Sequence, residues 1–67
     1  MDIRQRLGAN VRKLRNAKGW SQEEYADRAG IHRTYVSDNE RGARNPTATV
    51  IERLAMPLGV TPGRLLD

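Results

Sequence analysis

Apolar residues recur at helical spacing through most of this 67-residue chain. Ile3, Leu7, Val11 and Leu14 follow one another at intervals of four, four and three, which lines one face of a helix. Val50, Ile51, Leu54, Ala55 and Leu58 line a second such face. Between them, Tyr25, Ala26, Ala29, Ile31 and Val36 fall in two shorter segments. Period-two alternation of β-branched residues never persists beyond a few positions, so no strand is expected. The pattern predicts an all-α chain.

The polar residues between these stripes punctuate them. Asp2 suits the cap of the first helix, and the stretch Asn16 to Gly19 closes it. Ser21 can accept from the amide of Glu24, and Glu24 can reach back to the amide of Ser21, which predicts a capping box. Trp20 and Tyr25 flank that cap at the spacing of a hydrophobic staple. Ala26 and Ala29 allow close helix approach. Gly30 can take the positive φ that stops a helix. Ile31 plugs the turn, and His32 to Glu40 fits a second short helix that Gly42 ends. Ala43 to Pro46 reads as a loop, with Asn45 extended by the following proline. Thr47 caps the next helix, and Pro57 kinks or closes its last turn near Gly59. Thr61 caps a final short turn that begins at Pro62, with Val60 and Leu65 able to staple it. Gly8, inside the first helix, costs about 1 kcal/mol against Ala, so close helix contact is expected there.

Length and composition narrow the options. The size permits one domain, residues 1–67, with one small core, and a chain this short buries only roughly 60% of its unfolded surface. No cysteine is present, and the single histidine lies in no metal-ligand spacing, so neither a disulfide nor a metal is expected. No apolar run is long enough for a membrane span, and the start MDIRQRL is charged, so a cytoplasmic protein is expected. The formal charge is +4, from 12 Lys+Arg against 8 Asp+Glu. Residues 1–20 carry six bases and one acid, whereas residues 21–40 carry two bases and five acids. An excess of arginine favours a phosphate backbone as partner, because bound phosphates release condensed counterions.

The segments SQEEYADRAGI, YVSDNERGARNP, ERLA and LGV together resemble the helix-turn-helix family of phage repressors and Cro proteins, the Xre-like regulators. The likeness runs from about Leu7 to Leu66. It implies a compact, lambda-repressor-like bundle of about five short helices, whose second motif helix enters the major groove.

By that resemblance, His32, Arg33, Thr34, Ser37 and Asp38 are the candidates for base contacts. Arg33 offers a fork that matches the O6 and N7 acceptors of guanine, Thr34 a methyl for thymine, and Asp38 an acceptor for a cytosine amino group. Gln22, Tyr35, Arg41, Arg44 and Asn45 are the candidates for phosphate contacts, which position the domain without reading sequence. Arg15 and Glu40 match the family's ion pair between the first helix and the end of the recognition helix. Pro57, Leu58, Leu65 and Leu66 are expected at a dimer contact. Two positions depart from the family pattern. Asn39 stands where an aliphatic residue is usual, on the inward side of its helix. Pro57 stands where a helix-friendly residue is usual.

The function expected is a sequence-specific double-stranded DNA-binding transcriptional regulator, such as a prokaryotic or phage repressor that reads a palindromic operator as a weak dimer. An antitoxin or restriction-modification controller that regulates its own gene fits equally well. A protein-interaction module reusing the fold is the rival of another class. No Ser-His-Asp set, paired carboxylates or glycine-rich phosphate loop suggests an enzyme, and no cofactor is expected.

Overall fold

The computed structural model describes residues 2–67. Helix α1 spans Ile3–Ala17, α2 Gln22–Ala29, α3 Arg33–Glu40 and α4 Ala48–Ala55. Two 3₁₀ turns follow, Met56–Leu58 and Pro62–Leu66. Among the described residues there is no strand.

The caps show why each helix starts where it does. The Asp2 side chain accepts from the amides of Arg4 and Gln5, and Gln5 reaches back to the Asp2 amide, which closes a full capping box. Ser21 accepts from the Glu24 amide at 3.0 Å. The expected return bond from Glu24 is replaced by an ion pair with Arg28 at 3.3 Å, one turn on and equally accessible. The Trp20 and Tyr25 rings flanking this cap stack with centroids 6.2 Å apart. Gly30 ends α2 with φ of 71°, and the Ile31 amide returns to the Ala26 carbonyl. Thr47 and Thr61 cap α4 and the last turn through their hydroxyls. Pro57 does not kink α4 internally; α4 stops at Ala55, and the chain tightens into the first 3₁₀ turn with Pro57 at its start.

One core joins all elements. Leu7, Val11, Tyr25, Ala26, Ala29, Val36, Leu54, Ala55, Leu58 and Leu65 are buried in it. Ile3, placed on the α1 stripe by its spacing, is half exposed. Asn10 ties the end of the chain to α1. Its Nδ2 donates to the carbonyls of Leu65 and Asp67, both at 2.9 Å.

Helices α1 and α3 meet with no side chain between them at Gly8. A Cβ there would lie 2.2 Å from the Asn39 carbonyl oxygen and 3.0 Å from that of Glu40. This close approach is what the glycine inside the helix permits.

Candidate nucleic-acid interface

The inward and outward faces of α3 divide by helical period. Val36, Asn39 and the Glu40 carboxylate look inward; Arg33 and Thr34 are exposed, and Ser37 is half-buried on the same outward side. His32 caps α3, its Nδ1 accepting from the Thr34 amide at 3.0 Å. That bond places the imidazole proton on Nε2, which is left as a donor at the very start of the helix.

The outward face is held by a buried polar network. Arg15 Nε donates to Glu40 Oε2 at 2.6 Å, and Arg15 Nη2 donates to Oε1 at 3.0 Å. The two side chains are 11% and 4% exposed, so the pair is largely dry. Arg15 Nη1 donates to the Trp20 carbonyl at 2.7 Å, and Gln22 Nε2 to Glu40 Oε1 at 3.1 Å. The hydrogen bond to Glu40 raises the Arg15 pKa further, against the opposing effect of burial. The network therefore joins α1, the start of α2 and the end of α3, and it fixes the pose of the helix that carries Arg33. Nearby, the Tyr25 hydroxyl donates to the Leu54 carbonyl, and burial, then the Glu40 charge, pushes its pKa up.

Gln22 thus has a role that the sequence did not reveal: one of its amide hydrogens supports Glu40. Trp20 also has one. The Arg28 guanidinium lies 4.4 Å from its ring centroid and the Lys18 ammonium 5.9 Å, so the tryptophan carries cations beside α2. Aromatic and basic residues near in sequence were the available signal for that contact.

Beyond α3, the basic loop is organised around an acid. Asp38 Oδ1 accepts from Arg41 Nη2, and Asp38 Oδ2 accepts from Arg44 Nε at 3.2 Å. The Arg44 guanidinium also lies 4.9 Å from the Tyr35 ring centroid. These hydrogen bonds, the one from Arg41 foremost, hold the Asp38 carboxyl below its ordinary pKa. Asp38, expected as an acceptor for a base, has both oxygens engaged by these arginines, and its side chain is 20% exposed. Tyr35 is half-buried under Arg44. Arg41, Arg44 and Asn45 are exposed.

The expected dimer set divides. Leu58 and Leu65, expected at a dimer contact, are 4% and 0% exposed and complete the core of this chain. The reason is the last 3₁₀ turn, which folds back onto α1 and α4 instead of projecting outward. Pro57 and Leu66 are half-buried. Leu66, Ile3, Leu7, Ile51 and Pro46 line an apolar groove of about 130 Å³. Among the described residues, no helix is long and apolar enough to cross a membrane, and no group of His, Asp and Glu could hold a metal ion.

Residues 11–65 match the helix-turn-helix family HTH_3. The chain belongs to that family. It is similar to the control protein C.BamHI of Bacillus amyloliquefaciens, 46% identical over 98% of this chain and 83% of that one. Among solved structures it is similar to the restriction-modification controller protein C.AhdI of Aeromonas hydrophila (42% identity, TM-score 0.88, 92% of this chain and 94% of that one). It is also similar to the biofilm master regulator SinR in complex with DNA (34% identity, TM-score 0.86, 91% of this chain and 98% of that one).

Proposed function

We propose that this helix-turn-helix chain is a sequence-specific DNA-binding transcriptional regulator whose helix α3 enters the major groove. The observation that carries the reading is the division of α3. Its inward edge is locked by the Arg15–Glu40–Gln22 network, while Arg33 and Thr34 stand exposed beside the basic loop that holds Arg41, Arg44 and Asn45. In this reading His32, Arg33, Thr34 and Ser37 meet base edges, with Arg33 on a guanine. Gln22, Tyr35, Arg41, Arg44 and Asn45 meet phosphates. Gln22 does so through the amide hydrogen that Glu40 does not take. The similarity to a regulator solved with DNA supports the class.

Two copies bind one palindromic site, with half-sites about one helical turn apart. Their contact lies around Leu66 and Pro57, beside the groove that Leu66 lines with Ile3 and Ile51. The patch is small, so the free dimer is weak and DNA strengthens it. Sedimentation at rising concentration, with and without a palindromic duplex, reads this directly.

A narrower reading is favoured by the likeness to C.BamHI and C.AhdI over nearly whole chains: a restriction-modification controller that regulates its own gene. Its site would then lie ahead of that gene. The protein works in the cytoplasm, on the nucleoid when bound to DNA.

Titration of a mixed-sequence duplex at increasing salt tests the class. Binding should weaken linearly on a log–log plot, with a slope of about −0.9 per phosphate neutralised. Absence of binding even at low salt would instead favour a protein-interaction module.

A further inference from the structure

We propose that Asp38 is an internal counter-anion that competes with DNA phosphates for Arg41 and Arg44 and so sets the strength of the backbone grip. The proposal rests on the DNA-binding reading above. Three features of the α3 end carry it. Each carboxylate oxygen of Asp38 is engaged by a different guanidinium, Oδ1 by Arg41 and Oδ2 by Arg44. Both arginines are exposed, so they remain accessible to an incoming anion. The Arg44 guanidinium is also held against the Tyr35 ring, which fixes it beside the outward face of α3.

The position of Asp38 adds a fourth argument. It lies in the last turn of α3, where the helix dipole disfavours negative charge. The two arginines offset that cost. An acid that breaks the local rule and is stabilised only by the residues meant for phosphate points to a functional device. A carboxylate and a phosphate oxygen make the same charge-assisted bond to a guanidinium. DNA therefore meets Arg41 and Arg44 in competition with Asp38, by exchange for the donors it holds or by contact with a guanidinium whose charge it already offsets. The competition removes part of the gain from each phosphate contact, equally for every sequence, because phosphate contacts carry no base information.

This role differs from base reading in its readout. D38N keeps the size of the side chain and releases the two arginines. It should tighten binding to a mixed-sequence duplex by roughly eightfold at about 0.1 M salt, and steepen the log–log salt slope by about 0.9, as for one more phosphate neutralised. A site recovered by selection from random DNA should gain by the same factor, and the motif selected by D38N should match that of the wild type. The gain should vanish in an R41A/R44A background. Three results would overturn the proposal: an unchanged or shallower slope, a base preference altered at one position, or a gain that persists in full without the arginines. The wild-type titration run alongside separates the two levels. A wild type that fails to bind removes the DNA reading itself, whereas a wild type that binds with an unmoved D38N removes only the counter-anion. Helix content by circular dichroism, expected unchanged for a substitution outside the core, verifies that D38N is folded.

Discussion

Two buried polar residues stand side by side on α3, and α1 treats them in opposite ways. Glu40 faces Arg15, and its carboxylate accepts three hydrogen bonds, two from Arg15 and one from Gln22. The Asn39 backbone carbonyl lies against Gly8 of α1. The residue is fully buried, and neither its Oδ1 nor its Nδ2 has a partner. The difference comes from what the opposing helix offers. At Arg15 a long side chain crosses the gap and carries its donors with it. At Gly8 there is no side chain, and the backbones approach so closely that a Cβ would meet the Asn39 carbonyl. That closeness leaves no room for an added side chain at Gly8. The ion pair fixes α3 against α1, whereas the Asn39 amide adds a buried polar group with no hydrogen bond to offset its desolvation.

The ion pair gives the largest effect expected. R15A or E40A leaves a buried charge alone and should destabilise the domain by about 3–5 kcal/mol. A domain of this size has little more stability than that to lose, so either variant should be largely unfolded in a urea titration. A loss under about 1 kcal/mol would mean that the pair behaves as a solvated surface contact. G8A comes next. The added methyl forces α1 from α3, and overpacking of about 1–3 kcal/mol outweighs the helix-propensity gain of at most about 1. A net loss of about 1–2 kcal/mol in the same titration is expected.

N39L reverses the sign. Leucine is close to asparagine in shape and removes two unpaired polar atoms, so a gain of about 1–2 kcal/mol is expected, equivalent to a rise in Tm of about 4–8 °C per kcal/mol. A falling Tm would show that the Asn39 amide has a partner in solution. Tyr25 gives the smallest effect. Its raised pKa means that above the ordinary value of 10.0 the unfolded chain loses the proton while the folded chain keeps it. Stability from this group is complete below pH 10.0 and falls as the pH rises towards the folded value. Y25F should lose about 1 kcal/mol at neutral pH and show none of that alkaline decline, as read from unfolding curves between neutral pH and the alkaline limit.

Much of this arrangement was legible from residue spacing. The helical stripes, the threonine caps and Gly30 are local signals, and each sets an element boundary through its own backbone chemistry. The Arg15–Glu40 match came from the family resemblance, and the inward turn of Asn39 from its spacing after Val36. What escaped was set by tertiary packing. Leu58 and Leu65 look like spare apolar residues until the last turn folds back and Asn10 clamps it. The Glu24–Arg28 pair and the engagement of Asp38 by Arg41 and Arg44 escaped for a shared reason: an arginine within a turn or two competes for each carboxylate, and the sequence does not say which of two reachable donors wins. The Trp20 carbonyl reaches Arg15 through the turn between α1 and α2, and Gln22 reaches Glu40 through the packing of α2 with α3, neither of which residue spacing shows.

The central claim is that the outward face of α3 reads bases through Arg33. Selection from random duplex DNA, run in parallel with the wild type and R33A, tests it most directly. The wild type should enrich a palindromic motif with a guanine at one fixed position in each half. R33A should keep the rest of the motif, lose the preference at that position, and bind the wild-type site more weakly by about 1–3 kcal/mol. An R33A motif identical to that of the wild type would contradict the claim.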